Sequence, residues 1–445
     1  MTPRSTTTRI GAPPRGSRAP VPAIVAQHVE ESAQLRDLRT ALIRAPQLRL
    51  PQLARWDERL AAHLDGITVA GEAGASMVLQ SLEHCGKGEV FVATVGAIED
   101  RATGRLDRLL AVAESVPAAR AGLVSAFGWV PAAALQGITA SLLVSDVSPW
   151  RREVGLMACS MHGVNAGSPL TAGLRDADPG LRATALRAAG RSGRVDLVGV
   201  CETALGDADA RCAFEAARAA LLLGNRTEAL VALEAVAADA ASPFQLAALR
   251  LGLKVMPNKR LRALLATMAK EPANVRPLIQ GIASAGDPHY VPWLIAQMEN
   301  PKLARLASDA FAFISGLDLA HLGFDRTRPD GVESSPNDDP DDEGVTMDED
   351  ENLPWPDVGK IATWWRDNGA HFAAGTRYFV SAVPTTATCS EVLKTGFQRQ
   401  RSAAAEYLVL LKPGTPLFNV AAPAQRQQRL LGLVTPGSPL NTRRS

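Results

Sequence analysis

Three stretches of the chain, SDVSPWRREVGLMACSMHG (145–163), RDADPGLRATALRAAGRSG (175–193) and GDADARCAFEAARAALLLG (206–224), are copies of one unit. Arg152 and Arg182 stand 30 residues apart, and Asp178 and Asp209 stand 31 apart. Each copy opens with an acidic turn, begins a helix and keeps small residues on one face: Gly155, Ala185 and Ala216, then Cys159, Ala189 and Ala220 one turn later. Small residues at i and i+4 let neighbouring helices approach closely, as the stacking of near-identical units requires. A repeat of this length predicts antiparallel helix pairs that each pack only on their neighbours. Less regular units are expected over 72–114, 117–141 and 287–317.

The helix starts carry their own signal. Ser148 before Pro149 and Asp178 before Pro179 put an N-cap oxygen ahead of a proline, whose missing N–H costs nothing at the first helical position. Ser242 with Pro243 and Asn300 with Pro301 repeat the device, so four helices are predicted to begin alike. Hydrophobic residues make up 46% of the chain but aromatics only 5%, so the core must be built mainly from Ala, Leu and Val.

The turn Asp178-Pro179-Gly180-Leu181-Arg182 with Ala185 resembles the short HEAT-like repeat of proteins related to phycobilisome lyases. The resemblance covers about residues 70–320 and implies an all-α fold, a HEAT-like α-solenoid of antiparallel helix pairs. It also implies that the Asp of one turn and the Arg of a helix knit adjacent repeats, a role falling here on Asp178, Arg182 and Arg152. Ala213 stands where the third copy would carry its Arg, so the ladder is expected to break there. A lyase of this kind would cradle a tetrapyrrole with help from a Cys or an acid. Nothing singles out such a residue, because Cys159 and Cys212 sit at helix-packing positions.

Outside the repeats the chain divides further. Residues 1–21, rich in Pro, Thr and Arg, are expected to be a disordered leader, and 22–69 an N-terminal helical cap interrupted at Pro46 and Pro51. The HEAT-like array would then run over 70–324, an acidic flexible loop over 325–352, a helical C-terminal unit completing the solenoid over 353–425, and a polar tail over 426–445. Eleven acidic side chains and no Lys or Arg lie between 330 and 352, so a net charge of +1 hides 47 basic against 35 acidic residues elsewhere. In the C-terminal unit, 356–368 reads as helix, 376–383 as a short strand, and 390–411 as two helices around Gly396.

Five cysteines without CxxC spacing read as buried reduced thiols, and no run of eighteen apolar residues or signal-like h-region occurs, so the expected location is cytoplasmic. The seven histidines form no pair at i, i+3 or i+4, and GxSxG, GxxxxGK[ST] and GxGxxG are all missing. The expectation is therefore a protein that is not an enzyme and has neither metal nor cofactor. Asp339, Asp341, Glu343, Gly344 and Asp350 match positions 1, 3, 5, 6 and 12 of a calcium loop, but Asp350 is shorter than the usual bidentate Glu. A solvated acidic loop that docks on a basic surface fits the run better. Arg175, Arg182, Arg187, Arg191 and Arg194 crowd one repeat, which raises nucleic-acid binding, but no sustained basic stripe or aromatic interleaving accompanies them.

Trp355, Trp364 and Trp365 fall within eleven residues. Adjacent Trp364 and Trp365 point about 100° apart on a helix, so either one packs on the last repeat while the other covers the following hairpin, or they anchor a partner. LPWPD (353–357), the double Trp, Arg377-Tyr378-Phe379 and GFQRQRSAAAEYL (396–408) resemble an uncharacterised bacterial family of HEAT-like repeat proteins often encoded near type VI secretion genes. That resemblance implies an accessory or chaperone-like role in loading secretion spike or effector proteins. Trp355, Trp364, Trp365, Arg377, Arg399, Gln400 and Arg401 become the candidate partner-binding residues. The expected function is a non-catalytic protein-binding scaffold or adaptor. A nucleic-acid-binding HEAT-like protein is the alternative, and a tetrapyrrole lyase the third reading.

Overall fold

The computed structural model describes residues 19–330, 332 and 348–433. Among them are twenty-two α-helices and one sheet of two-residue strands, Asp325–Arg326 antiparallel to Trp355–Pro356, so the chain is all-α. Most of the expected leader, the centre of the acidic loop and the end of the polar tail lie outside the described residues. No single helix among those described is long and apolar enough to cross a membrane.

Eight helices form a row in which each packs on the next: Lys87–Glu99, Arg120–Trp129, Pro149–His162, Pro179–Arg191, Ala210–Leu222, Gln245–Gly252, Val275–Ala285 and Ala304–Ser315. Intervening helices, among them Thr103–Ser115, Glu228–Ala238 and Asn258–Met268, pack against this row as a second layer. At its start, Pro22–Leu42 pairs with Leu50–Val69 and lies on Lys87–Glu99. Gly155, Ala185 and Ala216 are buried, Gly155 against Leu142 and Leu143 and Ala185 against Gly173 of the intervening helix Ser168–Gly173, where small side chains permit close approach. Gly190 lies against the next row helix: a Cβ there would come within 2.7 Å of the Ala219 Cα. The left-handed residue that follows is Gly193, at φ +69°.

Repeat-to-repeat ion pairs also run along the row. Arg182 grips both carboxylate oxygens of Asp207 at 2.6 and 2.9 Å, Arg152 reaches Asp176 at 2.8 Å, and Arg262 reaches Asp287 at 3.3 Å. The acid expected to join repeats is Asp178, whereas Arg152 takes Asp176, two residues earlier, and Arg182 takes Asp207, two residues before Asp209. Asp178 and Asp209 instead cap their own helices, accepting from the Leu181 and Cys212 amides, while Asp176 and Asp207 close the preceding turn and receive the arginine. Only two of the four expected helix starts hold in that form. Pro149 and Pro179 are first helical residues, but Ser148 Oγ makes no hydrogen bond. Ser242 and Asn300 close turns ahead of helices that begin at Gln245 and Ala304.

Beyond residue 352 the chain runs back across the row in reverse order. Asp357 caps Val358–Asn368, and the stretch expected as a strand is a tight turn with Val380 and Ser381 at positive φ, bonded to the Phe313 and Ile314 carbonyls. Thr386–Thr395 and Gln398–Leu411 then pack together. The second of these pairs Arg399 with Asp309, Glu406 with Lys254, and the Leu410 carbonyl with Arg226. Further on, the Leu417 amide meets the Arg191 carbonyl, Asn419 meets Met161, and Arg426 donates to the carbonyls of Gly128, Trp129 and Val130. The return ends where the chain began. Arg39 donates to the Ala421 and Ala422 carbonyls, and Asp57 accepts the Ala424 amide in the helix Ala424–Leu430.

Candidate functional site

The returning segment leaves a groove along the inner face of the row. It consists of two cavities of about 300 and 710 Å³ that share Ile43 and Arg187. The smaller lies between Pro22–Leu42, the early row helices and residues 419–423. The larger lies between the later row helices and Gln398–Leu411. The repeat period sets the chemistry of the wall. Arg187, Arg218, Arg250, Gln280 and Asp309 come from five consecutive row helices at spacings of 29 to 32 residues, and all line the larger cavity. Phe214, Phe244 and Phe313 stand among them, and Phe91, Trp129, Met157 and Met161 line the smaller cavity.

Charge in the groove is unbalanced. Six basic residues line the larger cavity (Arg44, Arg187, Arg218, Arg250, Lys254 and Arg399) against three acids (Glu215, Asp309 and Glu406). The smaller cavity has Arg36, Arg39, Arg187 and Arg191 and no acid. Buried Glu215 is shared by Arg187 and Arg218. Arg399 bonds Asp309 at 3.0 Å, and Lys254 bonds Glu406 at 2.9 Å. Arg250 has only the neutral Gln280 amide, and Arg191 makes no side-chain hydrogen bond or ion pair to a described residue. Desolvation, with Arg218 and Arg187 close by, lowers Arg191 to about 10. Desolvation, with Arg399 close by, also lowers Arg250, although this residue is exposed. Burial pushes Asp309 upward despite Arg399, whereas at Glu406 the Lys254 ammonium overcomes burial and holds the carboxyl below its usual range.

The candidates named from sequence fall in several places. Trp355 is buried in the small sheet with the Arg305 guanidinium over its ring at 4.5 Å. Trp364 and Trp365 are half-buried, and both meet the same ring, Phe311, edge-on at 6.0 and 6.1 Å, so the expected division between two cores does not occur. Arg377 is spent on the carbonyls of Leu253, Met256 and Ala285. Gln400 is buried and accepts the Phe397 amide. Arg401 is fully buried, donating to the Leu393 carbonyl at 2.8 Å, Gln398 at 2.7 Å and Gln427 at 2.5 Å. Trp355, Gln400 and Arg401 are buried and Arg377 is half-buried with its guanidinium engaged, so these four hold the C-terminal unit in place, and of the four arginine and glutamine candidates only Arg399 lines the groove.

The basic group of one repeat is also dispersed. Arg182 pairs with Asp207 and Arg194 with Asp196, Arg175 is exposed and lines neither cavity, and Arg187 and Arg191 lie on the groove. Of the suggested calcium loop, Asp339, Asp341, Glu343 and Gly344 lie outside the described residues, and Asp350 is paired with Arg276. Asp348 and Glu349 likewise meet Arg305 and Arg276, so this end of the acidic run docks on the chain's own arginines. Cys201 and Cys212 are buried, and burial pushes each thiol up to about 12, which leaves no thiolate at neutral pH. No known protein family, curated protein or solved structure matches the chain.

Proposed function

We propose that the chain is a HEAT-like α-solenoid serving as a non-catalytic scaffold or adaptor, and that it holds a segment of a partner protein in the inner groove. The observation that carries this reading is the groove wall itself. Five successive row helices each contribute to it, with Arg187, Arg218, Arg250, Gln280 and Asp309 recurring at the repeat spacing, the geometry by which repeat proteins present an extended binding surface. The burial of Cys201 and Cys212, which pushes both thiols up, favours a holding role over thioether chemistry at those two positions. The C-terminal resemblance makes a secretion spike, adaptor or effector protein the partner to seek, in a cytoplasmic encounter.

Ser402 lines the larger cavity and is exposed, so Ser402→Trp fills the groove without disturbing the core. Tagged wild-type chain should capture a partner that survives nuclease treatment, and the Ser402→Trp chain, with unchanged thermal stability, should not. A partner retained equally by both chains, or lost on nuclease treatment, would sink the reading.

A further inference from the structure

We infer that the groove recognises an acidic peptide segment with apolar side chains beside its carboxylates, and that Arg191, Arg218 and Arg250 are the residues that receive them. This inference rests on the scaffold reading and specifies the partner's chemistry.

Geometry comes first. Arg218 and Arg250 stand on neighbouring row helices, Arg191 lies one turn past Arg187 on the row helix before them, and packed helix axes stand about 8–10 Å apart. An extended peptide rises about 3.3 Å per residue, so carboxylates two or three residues apart fall about 7–10 Å apart and match that spacing. Long arginine side chains take up the remainder, and their planar donor forks suit a carboxylate.

Charge bookkeeping points the same way. Glu215 serves two guanidiniums, and among the described residues Arg250 hydrogen-bonds only the Gln280 amide, with Glu406 and Asp309 near but not bonded to it, while Arg191 has no hydrogen-bonding side-chain partner. Such groups gain most from an incoming anion, because the protein has already removed part of their water. The aromatic residues between them offer apolar side chains a wall. Cavities of about 300 and 710 Å³ have the size of pockets that enclose a compact ligand or a few side chains.

The interleaved acids argue against a nucleic-acid strand. Glu215, Asp309 and Glu406 interrupt the basic wall. A polyanion with a phosphate at every step must pass each of these acids, whereas a peptide can place neutral residues opposite them.

A display library of random twelve-residue peptides, selected on the folded full-length chain, tests the inference. The expected winners carry Asp or Glu two or three positions apart beside Leu, Ile or Phe. A synthetic peptide of that consensus should bind at least tenfold more weakly to an Arg191→Gln, Arg250→Gln double variant, and more weakly in high salt. Neither arginine is fully buried, and melting curves report whether the variant still folds. Winners without acidic enrichment, or acidic winners that bind the double variant as well as wild type, overturn the inference while the scaffold reading stands. Failure to select any peptide overturns both, and single-stranded dT12 binding that the double variant weakens would then place a nucleic acid in the groove.

Discussion

Asp207 shows how much of the array depends on single contacts. The Arg182 fork holds its carboxyl below the usual range, against a smaller opposing effect of burial. A carboxylate whose folded pKa is depressed stabilises the fold fully above its unfolded value of about 4 and loses that contribution as the pH falls through the folded value. Arg182→Gln should therefore cost about 1–3 kcal/mol at neutral pH, with the gap to wild type narrowing in acid, as read from urea melts at several pH values. Gly190 carries a steric version of the same dependence. Because the Ala219 backbone leaves no room for a side chain, Gly190→Val should destabilise the protein by about 1–3 kcal/mol, lowering the urea midpoint with an unchanged slope.

Elements differ in how far their sequences disclose them. The row helices around 149–222 are legible because their period repeats and each places small residues on its contact face. The partners in the Asp–Arg ladder were misassigned by two residues. Asp176 and Asp178, like Asp207 and Asp209, look alike in sequence, and only the backbone turn decides which carboxylate caps and which reaches the next repeat. The groove was harder to foresee. Arg187, Arg218 and Arg250 do share the repeat spacing, but helix polarity alone cannot say that their face lines a cavity. The helix Gln398–Leu411 misled in the other direction: an arginine-rich run reads as surface, yet Arg401 is buried because carbonyl and amide oxygens surround it. Arg401→Ala would leave those acceptors unsatisfied, at a cost of about 2–3 kcal/mol or more. Hydrogen exchange should then rise first in 398–430.

At the scale of the whole molecule, the distinctive feature is that the two ends of the described chain are tied together. Arg39 spans Asp57 and the carbonyls at 421 and 422, and Asp57 in turn accepts the Ala424 amide. An open repeat array frays from its ends, but this one should unfold in a single transition. Asp57→Ala leaves Arg39 without its buried partner, a loss of about 3–5 kcal/mol for such pairs, and should split off an early urea transition that reports the N-terminal helices and 424–430 together. The reversed path of the C-terminal segment bears also on how the protein is made. Since residues 398–430 cover the row from its far end back to its beginning, a chain emerging from the ribosome carries an unroofed, arginine-rich trough until those residues have followed. At about 5–20 residues per second that interval lasts tens of seconds, long enough for a nascent trough to meet its ligand, or a wrong one, before the roof arrives.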